Sequence, residues 1–110
     1  MSRTPAPPFR RIAIVGVGLI GGSMGLALRR SLRGVRVVGI DRQPVLRRAR
    51  ARGALDESTT NLEAGLAGAD LVVLALPVDA ILRALPRVAR GLPPGAILER
   101  GPTRYVGEGL

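Results

Sequence analysis

Residues 11–23, with the sequence RIAIVGVGLIGGS, constrain the fold of this chain more than any other segment. After Arg11 the segment begins with an apolar run that is typical of a buried β-strand. The glycines Gly16, Gly18 and Gly21 follow at once in a G-x-G-x-x-G pattern, where a strand would give way to a helix. In that context the pattern predicts a turn that binds the phosphates of a dinucleotide.

Each glycine of this turn has a separate predicted role. Gly16 permits a sharp turn after the strand, and Gly18 lets the backbone approach a pyrophosphate closely. Gly21 lets the new helix pack closely against the strand. The backbone N–H groups around Leu19, Ile20 and Gly21 are then expected to face the phosphates, where the helix dipole favours negative charge.

An acidic residue stands where a dinucleotide site needs one. A second predicted strand, residues 35–40, ends at Asp41, about 20 residues after Gly21. A carboxylate there can accept hydrogen bonds from the adenosine ribose and repel a 2′-phosphate, which favours NAD over NADP. Arg42 keeps NADP open, because an arginine can accommodate that phosphate. The alternative for Asp41 is a turn or N-cap residue ahead of a helix that contains Pro44.

The remainder of the sequence alternates between helical and strand patterns. Helices are predicted at residues 23–32, 62–67 (capped by Asn61) and 77–90, the last kinked or split at Pro86. Strands are predicted at 71–76 and 96–98, with a break at 53–56 that has room for a short strand. The predicted apolar side of the helix at 77–90 comprises Val78, Ile81, Leu82, Leu85 and Val88. This order predicts an α/β fold, a Rossmann-like doubly wound parallel sheet in one domain at residues 10–98.

Ligands of such sheets bind at the carboxyl ends of the strands, near the point where the strand order reverses. That edge is expected to collect the glycine turn, Asp41, the end of the 71–76 strand and the residues after Leu98. Asp79 either faces the cofactor or occupies the first turn of its helix. The predicted cofactor-binding residues are Gly16, Gly18, Leu19, Ile20, Gly21, Asp41, Arg42, Leu76 and Pro77.

Length and composition limit the class of protein. The 110 residues suffice for one modest domain, and the absence of cysteine excludes disulfides and thiol catalysis. Residues 1–9 read as a flexible leader without the apolar segment of a secretion signal, so the cytoplasm is the expected location. No apolar run approaches the roughly 20 residues of a membrane span, and no metal site is predicted.

The formal net charge of +9 comes from arginine alone, since all 17 basic residues are arginines. The arginine-rich run at 47–52 fits a solvated helix face, a surface that attracts anions, or a nucleic-acid surface. Phe9 and Tyr105 are the only two aromatic residues. They provide no stacking platform, so no nucleic-acid partner is expected.

Four segments together resemble the prephenate/arogenate dehydrogenase family: residues 15–23, 38–42, 69–78 and 94–97. The string Gly-Leu-Ile-Gly-Gly-Ser is the most specific part, and the resemblance extends over residues 10–98. It implies NAD(P)-dependent oxidative decarboxylation of prephenate or arogenate in tyrosine biosynthesis. In the family, the base is a histidine beyond this region, and a helical C-terminal domain completes the substrate pocket and the dimer.

The sequence departs from this family near its end. Where the family usually continues Asp-Val-Gly-Ser-x-Lys, residues 99–104 read Glu-Arg-Gly-Pro-Thr-Arg, so that Pro102 replaces the serine. The chain contains no histidine, and no catalytic residue is assigned. We therefore expect a family member that is either truncated or frameshifted after residue 98. Residues 99–110 would be a divergent tail and the C-terminal helical domain would be missing.

Such a chain is expected to be inactive alone, and to form a dimer only if the helical domain is present. Two alternatives remain open at this point. One is a fragment of another Rossmann oxidoreductase, such as a β-hydroxyacid or imine reductase. The other is a non-catalytic nucleotide-binding module, which needs no base.

Overall fold

The computed structural model describes residues 9–100, which alternate between strands and helices along the chain. The strands are β1 (Arg11–Val15), β2 (Arg36–Ile40), β3 (Glu57–Thr59), β4 (Leu71–Leu74) and β5 (Ile97–Glu99). The helices are α1 (Leu19–Ser31), α2 (Gln43–Ala51), α3 (Leu62–Leu66) and α4 (Val78–Gly91).

The strands form one parallel sheet in the order β3-β2-β1-β4-β5. In β1, Val15 pairs with Ile40 of β2 on one side and with Leu74 of β4 on the other. The chain winds outward from β1 in one direction and then returns to continue in the other. The strand order therefore reverses beside β1, and the predicted doubly wound parallel sheet is confirmed.

Both faces of the sheet are covered. Ile12 and Ile14 of β1 contribute to a core that includes Leu46 of α2. Ala13 and Val15, the alternate residues of β1, contribute to a second core with Leu66 and other residues of α3 and α4. Burial on both faces explains why β1 and β4 read as continuous apolar runs.

Two predicted boundaries differ because local contacts decide them. Helix α1 begins at Leu19, four residues before the amphipathic pattern, since the glycine turn leads directly into it. Strand β3 follows the predicted break and occupies Glu57–Thr59. The sequence of β3 shows no apolar pattern, because this strand lies at the edge of the sheet and is held there by polar groups. The Asp56 carboxylate accepts from the Val37 N–H at 2.8 Å, and Glu57 pairs with Arg11.

Helix α4 differs from its predicted form in two ways. It continues through Pro86 as one helix and is not split there. Ile81 and Val88 are buried, but Val78 and Leu82 are 48% and 65% exposed, so their predicted place on the buried side is wrong. Leu82 is turned about 100° from Ile81 around the helix axis, and the side of α4 that meets the core carries Ile81, Ala84, Leu85 and Val88.

Both ends of the described range lie close to the core. Phe9 packs against the cluster around Ile12, and Glu99 is the last residue of β5. The rest of the predicted leader and tail, residues 1–8 and 101–110, lies outside the described residues. Within residues 9–100, no helix has the length and apolar content needed to cross a membrane.

Candidate nucleotide-binding site

The glycine turn connects β1 to α1 at the carboxyl edge of the sheet. Gly16 has a φ of +94°, and its N–H donates to the Ile40 carbonyl at 2.9 Å. A Cβ at Gly16 would lie 2.6 Å from the carbonyl oxygen of Ala75. Both its backbone conformation and its surroundings therefore require glycine, as its predicted role in the sharp turn demands.

Gly21 lies where α1 passes closest to the turn. A Cβ on Gly21 would overlap the carbonyl oxygen of Gly16 and lie 3.2 Å from the Ala75 Cβ. The missing side chain thus allows the first turn of α1 to lie directly against the strand ends. The predicted packing role of Gly21 is confirmed.

The N-terminus of α1 is open. Gly18 is its N-cap and offers no side-chain cap, and no acidic residue occupies the first turn. Within the described residues, the backbone N–H groups of Leu19, Ile20 and Gly21 have no acceptor. A Cβ on Gly18 would meet nothing within 4 Å. The turn therefore presents unpaired donors and the positive end of a 13-residue helix beside open space.

Asp41, at the end of β2, is tied to the glycine turn. Its Oδ2 accepts from the Val17 N–H at 2.9 Å, and its Oδ1 accepts from the Arg42 N–H at 2.7 Å. The N-cap of α2 is Arg42, so Asp41 is not the helix cap that the alternative suggested. Sequence reasoning missed its bond to Val17, because nothing local to either residue indicates a contact across 24 positions.

A cleft of about 520 Å³ opens next to Asp41, and we call it the Leu76 cleft. It lies between the ends of β1 and β2 and the helices α3 and α4. Its lining is mainly apolar. The lining residues are Val15, Gly16, Ile40, Asp41, Arg42, Gln43, Thr60, Leu62, Leu76, Ala84 and Arg87.

A second cleft of about 660 Å³ lies between the glycine turn and α2, and we call it the arginine cleft. The glycine turn contributes Val17, Gly18 and Leu19 to its lining, and α2 with its two caps contributes Arg42, Val45, Arg48, Ala51 and Arg52. Arg42 lines both clefts. The arginine run was not predicted to reach this site, although the i, i+4 spacing of Arg48 and Arg52 was available as a signal.

The predicted cofactor-binding residues thus divide between the two clefts. Gly16, Asp41, Arg42 and Leu76 line the Leu76 cleft, whereas Gly18 and Leu19 line the arginine cleft. Ile20, Gly21 and Pro77 line neither, although Ile20 and Gly21 carry free N–H groups in the first turn of α1.

Asp79 lies in the first turn of α4 and is exposed. Its carboxylate pairs with Arg83 at 3.2 Å, and this hydrogen bond holds the pKa of Asp79 below its usual value. These contacts support the helix-start interpretation. In the part of the chain that the structure describes, no three His, Cys, Asp or Glu residues are grouped so that they could hold a metal ion.

The comparisons with known proteins identify a family. The family profile described as prephenate dehydrogenase, nucleotide-binding domain, matches residues 24–99. The prephenate dehydrogenase of Lactococcus lactis is 35% identical over 81 residues, which cover 74% of this chain and 23% of the relative. This chain therefore spans about a quarter of that relative's length.

Solved structures extend the likeness to the fold. Prephenate dehydrogenase from A. aeolicus, in complex with hydroxyphenyl propionate and NAD+, matches with a TM-score of 0.76 and 28% identity. That match covers 86% of this chain and 34% of the other. Synechocystis arogenate dehydrogenase matches with a TM-score of 0.72 and 35% identity, over 80% of this chain and 31% of the other. The chain belongs to the prephenate dehydrogenase family and constitutes a nucleotide-binding domain of that family.

Proposed function

We propose that this chain binds NAD across the carboxyl edge of its sheet. The pyrophosphate would accept hydrogen bonds from the N–H groups of Leu19, Ile20 and Gly21, in the space beside Gly18. The observation that carries this proposal is the open N-terminus of α1 directly beside Asp41, with the Val17 N–H bonded to the carboxylate at 2.9 Å. This hydrogen bond would hold the phosphate donors next to the ribose acceptor.

The Asp41 carboxylate can still accept hydrogen bonds from the ribose. Each carboxylate oxygen has two lone pairs, and each accepts one backbone N–H. The remaining lone pairs can accept hydrogen bonds from the adenosine ribose hydroxyls without breaking the turn. Asp41 is the residue on which the preference for NAD rests.

The Leu76 cleft fits the adenine. Val15, Ile40, Leu62 and Leu76 supply apolar contacts for a flat base, and the cleft begins next to Asp41. Pro77 lies in the connection between β4 and α4, directly after Leu76. We place it beside the nicotinamide half of the cofactor. The A. aeolicus relative solved with NAD+ supports this assignment of the cofactor.

Membership of the family supports an oxidative decarboxylation as the reaction of the whole protein. Held at the glycine turn and Asp41, NAD would supply the hydride acceptor for an oxidative decarboxylation of prephenate or arogenate. The residues of this chain would bind and orient the cofactor for that step. We place the binding domain at residues 10–98 and the protein in the cytoplasm.

Gly18→Ala tests the nucleotide site. Because a Cβ there meets no protein atom within 4 Å, the variant is expected to fold with an unchanged thermal midpoint. The added methyl group would occupy the phosphate space and weaken NAD binding at least about tenfold by calorimetry. Ala27→Leu, on an exposed position of the same helix, is the control and should bind normally. Undiminished NAD binding by folded Gly18→Ala would exclude this site.

The second prediction concerns turnover. The sequence has no histidine to serve as the base that takes the hydroxyl proton. The purified 110-residue chain should therefore bind NAD but produce no NADH from prephenate, followed by absorbance of the reduced nicotinamide. Steady NADH formation that depends on both prephenate and this chain would refute the prediction.

A further inference from the structure

We propose that Arg87 contacts the adenine of the bound cofactor through its guanidinium, which Glu63 holds in position beside the Leu76 cleft. The inference rests on the nucleotide site proposed above and deepens it. Neither residue belongs to the glycine turn or to the end of β2. Arg87 is a residue of α4 and Glu63 a residue of α3, so the contact comes from the two helices that cover the second core.

Arg87 lies at the Leu76 cleft on the side that α3 and α4 form. It lines the cleft from α4, together with Ala84 one turn earlier. Leu62, the first residue of α3, and Thr60 line the cleft nearby in the chain. Asp41 lines the same cleft from the end of β2. A base whose ribose is bound at Asp41 would therefore extend toward the α3 and α4 side of the cleft.

An ion pair between the two helices fixes the Arg87 side chain. Its Nη2 donates to both carboxylate oxygens of Glu63, at 3.0 Å and 3.1 Å, across 24 positions of the chain. Within residues 9–100, Nη1 and Nε of Arg87 donate to no protein acceptor. The Arg87 side chain is 56% exposed, so an entering ligand can reach it. The guanidinium is therefore held by one nitrogen while its other donors stay available.

The Leu76 cleft offers apolar contacts to a base but no aromatic ring. Phe9 is the only aromatic residue in the described range, and it packs against the other core, around Ile12. A guanidinium is planar and cationic, and it is attracted to the face of an aromatic ring. Arg87 supplies such a group where the cleft has no ring of its own.

The second arginine of the Leu76 cleft belongs to the ribose end. The Nε of Arg42 lies 3.8 Å from Oδ1 of Asp41, and 83% of the Arg42 side chain is exposed. Arg42 thus faces the carboxylate that is proposed to bind the ribose. Arg87 is the arginine that borders the cleft from the opposite helices.

Arg87→Gln tests the contact, with Arg83→Gln as its control. Arg83 is one turn earlier on α4, pairs with Asp79 at 3.2 Å and lines neither cleft. Both ion pairs are exposed and contribute little to stability, so both variants should fold. Calorimetry on the full chain should show NAD binding about fivefold weaker for Arg87→Gln and unchanged for Arg83→Gln. An equal loss in both variants would indicate a general attraction of anions and overturn the contact.

ADP-ribose locates the contact along the cofactor, because it carries the adenine and lacks the nicotinamide. Arg87→Gln should weaken its binding by the same factor as that of NAD. A loss that appears with NAD and not with ADP-ribose would place Arg87 near the nicotinamide and overturn the assignment to the base.

Exchanging the two charges separates a ligand contact from a bridge between helices. Glu63→Arg combined with Arg87→Glu keeps the net charge and allows an ion pair between α3 and α4, but it removes the cation from the Arg87 position. We expect this variant to bind NAD no better than Arg87→Gln. Recovery of wild-type affinity would show that the pair only joins the helices, and the inference would fail.

The positioning role of Glu63 has its own readout. Glu63→Gln should lower the NAD affinity less than Arg87→Gln, because the guanidinium stays present but is no longer held. Glu63→Gln combined with Arg87→Gln should bind NAD as Arg87→Gln does alone, since Glu63 acts through Arg87. Losses that multiply in the double variant would contradict this role.

Failure of this inference is distinguishable from failure of the proposed function. If Arg87→Gln binds NAD with wild-type affinity, the Arg87 contact is wrong and the nucleotide site stands. If the wild-type chain binds neither NAD nor ADP-ribose, the proposed function fails together with the inference.

Discussion

The carboxylate of Asp41 accepts hydrogen bonds from the backbone N–H groups of Val17 and Arg42, and only 18% of its side chain is exposed. It thus holds the glycine turn against the end of β2, in addition to its proposed contact with the ribose. Gly18 and Gly21 differ in what a side chain at each position would meet. A side chain at Gly21 would overlap protein atoms, whereas one at Gly18 would extend only into the ligand space.

Asp41→Ala should therefore destabilise the fold even without a ligand. The substitution leaves the buried N–H of Val17 without an acceptor, which costs about 1–3 kcal/mol of unfolding free energy. Asp41→Asn keeps one carbonyl oxygen as an acceptor and should lose less. Urea unfolding followed by circular dichroism measures both variants. Equal free energies of unfolding for Asp41→Ala and the wild type would show that this hydrogen bond does not stabilise the fold.

Helices α3 and α4 show how far local signals determine an element. Asn61 caps α3 as predicted, with its Oδ1 accepting from the Ala64 N–H at 2.7 Å. This cap involves neighbours three residues apart, so it could be read from the sequence. The rotation of α4 about its axis could not be read from the sequence, because the apolar residues of α4 span a wider arc than the core covers.

The rotation of α4 predicts unequal effects at adjacent positions. Ile81 is 4% exposed, so Ile81→Ala should lower the unfolding free energy by about 2–5 kcal/mol. Leu82 is 65% exposed, so Leu82→Ala should change it by no more than about 0.5 kcal/mol. The same denaturant titration serves for both. A comparable loss for the two variants would place the buried face of α4 elsewhere.

For the whole molecule, ion pairs at the amino edge of the sheet join distant segments. Glu57 of β3 binds Arg11 of β1 and Arg36 of β2. The hydrogen bond from Arg11, followed by that from Arg36, lowers the pKa of Glu57 from 4.5 to about 2. Asp70 accepts from the N–H groups of Arg10 and Arg11, and these bonds lower its pKa as well.

The lowered pKa values of these carboxylates predict that the fold loses stability in acid. A pKa that is lower in the folded state stabilises the fold above the unfolded pKa, and this contribution disappears as the carboxylate is protonated. For Glu57 the loss should occur as the pH falls from 4.5 to about 2. Urea unfolding at a series of pH values should show this decline. Glu57→Gln should be less stable at neutral pH and show a shallower decline, and an unchanged slope would contradict the assignment.

Much of the architecture could be predicted because its determinants are local. The G-x-G-x-x-G turn, the continuous apolar run of β4 and the Asn61 cap each act within a few residues. Strand β3 was misplaced because its position depends on Asp56 and Glu57 pairing with residues of other strands. No hydropathy pattern records such pairs.

The sequence by itself determined the parallel α/β fold, the glycine turn and the family resemblance, since periodicity and turn chemistry are properties of short segments. Only the tertiary structure decided that Asp41 anchors Val17, that α4 buries Ile81 and exposes Leu82, and that Arg48 and Arg52 face Gly18 across a cleft. These features join residues far apart in the chain or depend on the rotation of a helix. They are decided when the elements pack together, because packing selects which side chains lose contact with water.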